Sequence, residues 1–171
     1  KISIKLPSNY LQRHSIKIKK IIDLIQIFKT KKVCVIGDLI VDEYITCEAL
    51  GMSQEEATVV VTPVDSVKFL GGAAIVAAHG SGMGANMTLL SLKGNDSNGM
   101  FAEKLLKETG VNAHLISDEN RPTTLKQRFR SKGKSLLRVN HLRKSALNKS
   151  QKLEILEKLK NMLITKIRRC E

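Results

Sequence analysis

Val33-Cys34-Val35-Ile36-Gly37-Asp38-Leu39-Ile40-Val41-Asp42 is the most telling stretch of this 171-residue chain. Val33 to Ile36 is a short unbroken run of apolar residues, mostly β-branched. Such a run marks a strand buried on both faces, as in a parallel sheet. Gly37-Asp38 stops the run. Ligands of open α/β sheets bind just beyond the carboxyl ends of strands, so Asp38 and Asp42 stand where a site is expected. Two carboxylates there can accept hydrogen bonds from sugar hydroxyls, or can simply satisfy the backbone of a turn.

Upstream, Ile18, Ile21, Ile22, Ile25 and Phe28 repeat at helical spacing, with Lys and Asp on the other side. Ser15 is the candidate cap, and Lys29 to Lys32 supply positive charge at the favourable helix end. Residues 1–14 show no period and read as a mobile basic arm. Downstream, Ile40 to Thr46 and Thr58 to Val64 are β-rich, separated by a polar loop. Pro63 disfavours a flat central strand, so these segments read as a small flap outside the main sheet. Gly71-Gly72 opens an Ala-rich helix that Gly80, Gly82 and Gly84 weaken towards its end. Met87 to Leu92 reads as a strand. Asp96 or Ser97 caps a helix that stops at Gly110, and Val111 to Ile116 is the next strand. Thr123 to Arg130 and Ser135 to Val139 form a hairpin turning at Lys132-Gly133. Ser150 to Arg169 is a long helix with Leu156, Leu159, Leu163 and Ile167 on one stripe. This order predicts an α/β fold, a parallel sheet flanked by helices.

Charge is segregated. Residues 1–32 carry nine Lys/Arg against one acid, net +8; residues 33–120 carry four against twelve, net −8; residues 121–171 carry sixteen against three, net +13. The acidic middle argues against one continuous basic surface. Only Tyr10, Tyr44 and four Phe are available for base stacking, so nucleic acid is an unlikely partner. A basic module for nucleic acid or an acidic protein is the alternative reading. No apolar run reaches membrane-span length, and no signal-type segment follows the basic start; the expected location is cytoplasmic. Cys34, Cys47 and Cys170 lack C-x-x-C spacing and read as idle thiols, and the four His show no metal spacing.

Three further features could carry chemistry. Gly71-Gly72 allows a ligand to approach the backbone at a helix start, or allows close packing of helix on sheet. Lys126, Arg128 and Arg130 share one strand face, suited to a phosphate or carboxylate, or simply solvated. Gly80-Ser81-Gly82-Met83-Gly84 lies late in a helix rather than opening one, so it is not a dinucleotide fingerprint, and there is no G-x-x-x-x-G-K-[ST].

Five segments in order resemble the amino-terminal half of the ribokinase-like (PfkB) carbohydrate kinases. They are V-C-V-I-G-D-L-I-V-D-E-Y, F-L-G-G-A-A, L-K-G-N-D, P-T-T-L-K-Q-R-F-R and S-L-L-R-V-N, from about Lys31 to Leu142. Their spacing is most similar to the heptose-7-phosphate kinase branch. The resemblance implies a partial ribokinase-like fold over residues 15–171 with a small β lid, and a possible homodimer through that lid. It implies ATP-dependent phosphorylation of a sugar or sugar-phosphate hydroxyl, with Mg. It assigns Asp42, with Asp38 beside it, and the Gly71-Gly72 pair to the sugar. Lys126, Arg128 and Arg138 match basic positions that fit a phosphorylated sugar.

The chain departs from the family at Ile75, where Asn is usual, at Ser53-Gln54-Glu55-Glu56-Ala57 in the lid, and at Asn140, where Asp is usual. The family's catalytic Asp lies in a G-A-G-D-like motif near the carboxyl end. Here Gly133 is the sole glycine after Gly110, and the acids after residue 120 are Glu154, Glu157 and Glu171. The expectation is therefore a sugar-binding half that binds neither ATP nor Mg by itself and has no catalytic residue.

Overall fold

The computed structural model describes residues 7–167, and their side chains through residue 162. The elements run α1 (Ser8–Arg13), α2 (Ile18–Phe28), β1 (Lys32–Ile36), β2 (Leu39–Met52), β3 (Val59–Gly71), α3 (Gly72–Gly82), β4 (Asn86–Gly94), α4 (Ser97–Glu108), β5 (Asn112–Asp118), β6 (Thr124–Ser131), β7 (Lys134–His141) and α5 (Lys149–Ile167). Strands β1, β4 and β5 form a parallel sheet in the order β1-β4-β5. The flap strands do not stand alone. They join the late hairpin in a second sheet, β3-β2-β6-β7, in which β6 runs parallel to β2 and the other pairs are antiparallel.

The core sits where the sheets meet α3 and α4. Leu39, Val41 and Leu70 from the base of the second sheet cluster with Ala74, Ala77, Met87, Leu89, Ala102, Leu106 and Val111. Small residues on α3 permit this closeness; a Cβ at Gly80 would press into the Met87 side chain. Leu90 is fully buried too. Strand alternation puts it on the face opposite Leu89, where it lines a cleft with Leu92, Leu142, Leu147 and Ile155.

Local signals explain most boundaries. Asp96 caps α4 by accepting from the Gly99 N–H at 2.8 Å. Beyond Thr109, Gly110 takes φ +73°, and the Val111 N–H returns to the Leu106 carbonyl at 3.0 Å. Lys132 and Gly133 both have positive φ, 47° and 80°, as a tight two-residue hairpin turn requires. Pro63 falls where the β2–β3 register shifts, between Thr46 and Cys47, so its missing N–H costs the ladder little.

Two expectations differ from the structure. Ser15 does not cap α2: it has φ +52°, and the residue before the helix is Lys17, which makes no side-chain cap. Strand β1 is not covered on both faces. Four of its five residues are exposed, and it stands at the edge of its sheet among the described residues. On the α5 stripe, Leu156 is exposed and Leu159 half-buried, while Leu163 and Ile167 fall outside the described side chains. Within the segment read as an arm, the chain forms α1, none of whose residues is buried.

Candidate functional site

Asp42 is held in the middle of the second sheet. Its direct neighbours are Phe69 on β3 and Lys126 on β6; two residues on, Tyr44 lies beside Val67 and Arg128, and Arg128 pairs in turn with Arg138 on β7. Pairing partners share a face and residues two apart share it as well. One face therefore gathers Asp42, Tyr44, Phe69, Lys126, Arg128, Arg130 and Arg138.

Arg128 organises this face. Its Nη1 donates to Asp42 Oδ1 at 2.7 Å and to the Tyr44 hydroxyl at 3.1 Å. Its guanidinium lies 5.0 Å from the Tyr44 ring centroid, and that of Arg130 lies 5.8 Å away. Cations over an aromatic face gain from the ring quadrupole. Phe69 meets Tyr44 edge to face, centroids 5.7 Å apart. Asp42 Oδ1 is thereby engaged, while Oδ2 rests over the Gly71 backbone, where a Cβ would collide with it. Gly71 thus makes room for the carboxylate. Gly72 has φ +54°, and a Cβ there would strike the Asp38 carbonyl. That carbonyl accepts the Ala73 N–H at 3.0 Å, which ties the start of α3 to the end of β1.

The structure brings Asp42, Gly71, Gly72, Lys126, Arg128 and Arg138 together around the junction of β2, β3, β6 and β7. Asp38 meets this group through its carbonyl, which lies against Gly72. It is exposed and lines the cleft at the ends of β1 and β4, about 490 Å³, with Lys93, Arg121 and Lys144. Arg130 shares the face with Lys126 and Arg128, and its guanidinium also donates to the Gly133 carbonyl at 2.8 Å. Ile75 projects from α3 as a half-buried residue packed against the core.

Sequence reasoning missed Tyr44 and Phe69. Both were within reach: each is two residues from a singled-out position, Asp42 and Gly71, and a strand repeats its face every second residue.

The other face of the same sheet carries a polar chain across all four strands. Ser66 Oγ on β3 donates to Glu43 Oε1 at 2.7 Å, and Gln127 Nε2 on β6 donates to Glu43 Oε2 at 2.8 Å. Since the Gln127 amide donates to a carboxylate, its oxygen must accept, so His141 on β7 presents Nε2–H to it, 2.9 Å away. Burial pushes the Glu43 carboxyl up, but the Ser66 and Gln127 hydrogen bonds, with Lys68 and His141 nearby, hold it below its usual range. This chain of bonds fixes the register that sets Asp42 beside Lys126.

Among the described residues no group of His, Cys, Asp and Glu could hold a metal ion, and no helix is long and apolar enough to cross a membrane. The glycines offer no phosphate cradle after β5: Gly133 sits at the tip of the β6–β7 turn, with open space where a Cβ would go.

The geometry sets two sheets, a di-glycine at a helix start and a carboxylate among cations side by side, and the comparisons name a family for it. The family model for pfkB family carbohydrate kinases matches residues 30–167, and the chain belongs to that family. A D-beta-D-heptose 7-phosphate kinase of Bordetella bronchiseptica is 38% identical over 109 residues, 64% of this chain and 35% of that protein. The bifunctional protein HldE of Nitratiruptor is 31% identical over 125 residues, 73% of this chain and 27% of that protein. The chain spans about a third of the length of these relatives. Among solved structures, a Clostridium perfringens sugar kinase superposes with a TM-score of 0.55 at 17% identity, over 77% of this chain and 40% of that one. A Staphylococcus aureus phosphofructokinase gives 0.56 at 14% identity, over 76% and 39%. The fold is that of the ribokinase-like sugar kinases, in part.

Proposed function

We propose that this chain is the sugar-binding part of an ATP-dependent kinase acting on a sugar or sugar-phosphate hydroxyl, similar in preference to the heptose 7-phosphate kinases, and inactive alone. The observation that carries this is the Asp42 carboxylate, fixed by Arg128 above Gly71, with Lys126 and Arg138 on the same face. Asp42 Oδ2 accepts a sugar hydroxyl. Lys126 and Arg138 attract the substrate phosphate, and their cost of desolvation stays small because the face is open. The edge of Phe69 packs against the apolar side of a sugar ring. Asp38, across the β1–α3 junction, is the second hydroxyl acceptor. The lid surface, β2 and β3, is also the surface through which two copies would pair.

ATP and Mg would supply the transferred phosphoryl group and its charge neutralisation. The sequence holds no G-A-G-D-like motif to supply the Asp that deprotonates the hydroxyl in the family. The test is thermal stabilisation. Heptose 7-phosphate raises the melting temperature of the chain, ATP with Mg does not, and Gly71→Ala removes the sugar-phosphate response by displacing Asp42. ATP-dependent phosphorylation of a sugar by the purified chain would defeat the claim of inactivity. Steeply salt-dependent nucleic-acid binding with no response to sugars would favour the basic-module reading instead.

A further inference from the structure

Helix α2 sorts its side chains by angle. At about 100° per residue, Ile18, Ile21, Ile22, Leu24, Ile25 and Phe28 fall within one arc of about 160°, and Lys19, Lys20, Asp23 and Gln26 fill the opposite side. Ile27 alone breaks the pattern, on the polar side between Asp23 and Lys20. A surface helix with such a stripe turns it to the core. This one does not: none of its residues is buried, and Ile18, Ile22 and Leu24 are 49%, 52% and 46% exposed. Its carboxyl end is nonetheless held. The Asn86 N–H donates to the Lys31 carbonyl at 2.9 Å, and the Lys29 side chain runs close over Gly84. The helix thus joins the fold at the start of β1, and the cleft with Asp38 lies beyond the other end of that strand.

The residues around the stripe are lysines. Lys17, Lys19, Lys20, Lys29, Lys31 and Lys32 are all exposed, and Asp23 is the single acid between residues 17 and 32. We infer that α2 is a docking surface for an anionic lipid bilayer, lying in the plane of the headgroups with its isoleucine face turned towards the acyl chains. With 11 residues it is too short to cross a membrane and lies on one instead. Charge complementarity selects this occupant. A stripe of Ile, Leu and Phe needs an apolar medium, and the lysines around it need anions at the boundary of that medium; an anionic bilayer offers both in one layer. Lys17 and Lys29 project on the same side as the stripe, at its two ends. Their long stems let the apolar face sink while the ammonium groups stay with the phosphates. A second copy of the chain would cover the stripe but would set six lysines against six. Placement agrees as well, because docking at the start of β1 leaves the cleft at its far end open.

The test is co-sedimentation of the full chain with lipid vesicles. Vesicles of phosphatidylcholine mixed with phosphatidylglycerol bind the chain about tenfold or more tightly than vesicles of phosphatidylcholine alone, and added salt weakens that binding. Two matched substitutions check the face. Ile22→Ser, on the stripe, weakens binding to the anionic vesicles about tenfold. Ile27→Ser makes the same chemical change on the polar side, at 46% exposure, and alters binding less than about twofold. Both positions are exposed, so neither change moves the melting temperature of the chain. Lys19→Gln combined with Lys20→Gln narrows the gap between the two kinds of vesicle. No binding, equal binding to both kinds, or equal losses from Ile22→Ser and Ile27→Ser overturns the inference. So does a dimer of the free chain that Ile22→Ser dissolves, which gives the stripe to a second copy. Binding to soluble polyglutamate that Ile22→Ser abolishes gives it to an acidic protein and overturns the inference too. The inference stands apart from the kinase reading: stabilisation by a sugar phosphate is measured without vesicles, and Ile22→Ser leaves it unchanged.

Discussion

The parallel sheet β1-β4-β5 and the mixed sheet β3-β2-β6-β7 both grow from the stretch Val33 to Thr46, yet they use their faces differently. In the parallel sheet the side chains of Met87 and Leu89 meet α3 and α4 and form the core. The mixed sheet contributes to that core only at its base, through Leu39, Val41 and Leu70. Further out, one of its faces holds Asp42, Arg128 and Tyr44, and the other holds the Ser66–Glu43–Gln127–His141 chain. Buried packing is thus concentrated in one sheet, and the charged groups of the proposed sugar site lie on the other. A sheet that is to offer such groups to a ligand must leave them open, and that openness limits what it can bury.

The hardest way to break this division is to cut into the parallel sheet. Leu89 is fully buried within the cluster formed with Ala74, Ala77 and Leu106. Leu89→Ala removes buried methyl groups and leaves a cavity that small neighbours fill poorly, at a cost of about 3 kcal/mol. The urea midpoint should fall accordingly. A fall no larger than that of Leu137→Ala, an exposed position on β7, would show that the core does not carry the stability.

The second prediction addresses the joint between the sheets. Asp96 Oδ1 caps α4 through the Gly99 N–H, and Oδ2 accepts the Thr123 N–H at 2.7 Å, just before β6. Burial pushes this carboxyl up, but the hydrogen bonds from Gly99 and Thr123 outweigh it and hold the group below its usual range. Its folded-state pKa is therefore lower than its unfolded one. The stabilisation is present above pH ~4, the unfolded value, and is lost as pH falls through the depressed folded value. Asp96→Ala should cost about 2 kcal/mol at neutral pH, since it removes a cap and orphans a buried N–H. Denaturation curves of the two proteins should converge as pH drops below 4; a gap that stays constant from pH 7 to 2.5 would contradict the assignment.

How far these divisions could be read in advance varies with the range of the signal. Asp96, Gly110 and Lys132-Gly133 are local devices, and each acts where its neighbours in the chain place it. Asp42, Gly71 and the Lys126–Arg130 row were visible as separate features, and the resemblance linked them to one ligand. What could not be seen was that β6 would lie parallel to β2, because that pairing joins residues more than eighty apart. Without it the Arg128–Asp42 pair and the polar chain through Gln127 have no signature. The exposure of β1 was hidden for a different reason. An apolar run reports the surroundings a strand is suited to, and among the described residues β1 is exposed all the same.

The smallest expected effect on folding is the sharpest test of the division. Lys126 lies beside Asp42 in the register, half-buried, while Arg128 is the residue bonded to that carboxylate. Lys126→Ala removes no bond that supports the fold and should shift stability by less than about 0.5 kcal/mol. In the proposed site the same change removes a cation for the substrate phosphate, so it should weaken sugar-phosphate binding several-fold, an effect that shrinks as salt rises. Arg128→Ala should differ in kind. It frees Asp42 and Tyr44 together, costs about 1 to 2 kcal/mol as a charge-assisted bond is lost, and impairs binding of uncharged sugars as well as phosphorylated ones. Calorimetric titration of both variants with a sugar and its phosphate separates the two roles. If Lys126→Ala and Arg128→Ala lose the two ligands in equal proportion, the cation row does not discriminate phosphate, and the mixed sheet's charges serve only to hold Asp42.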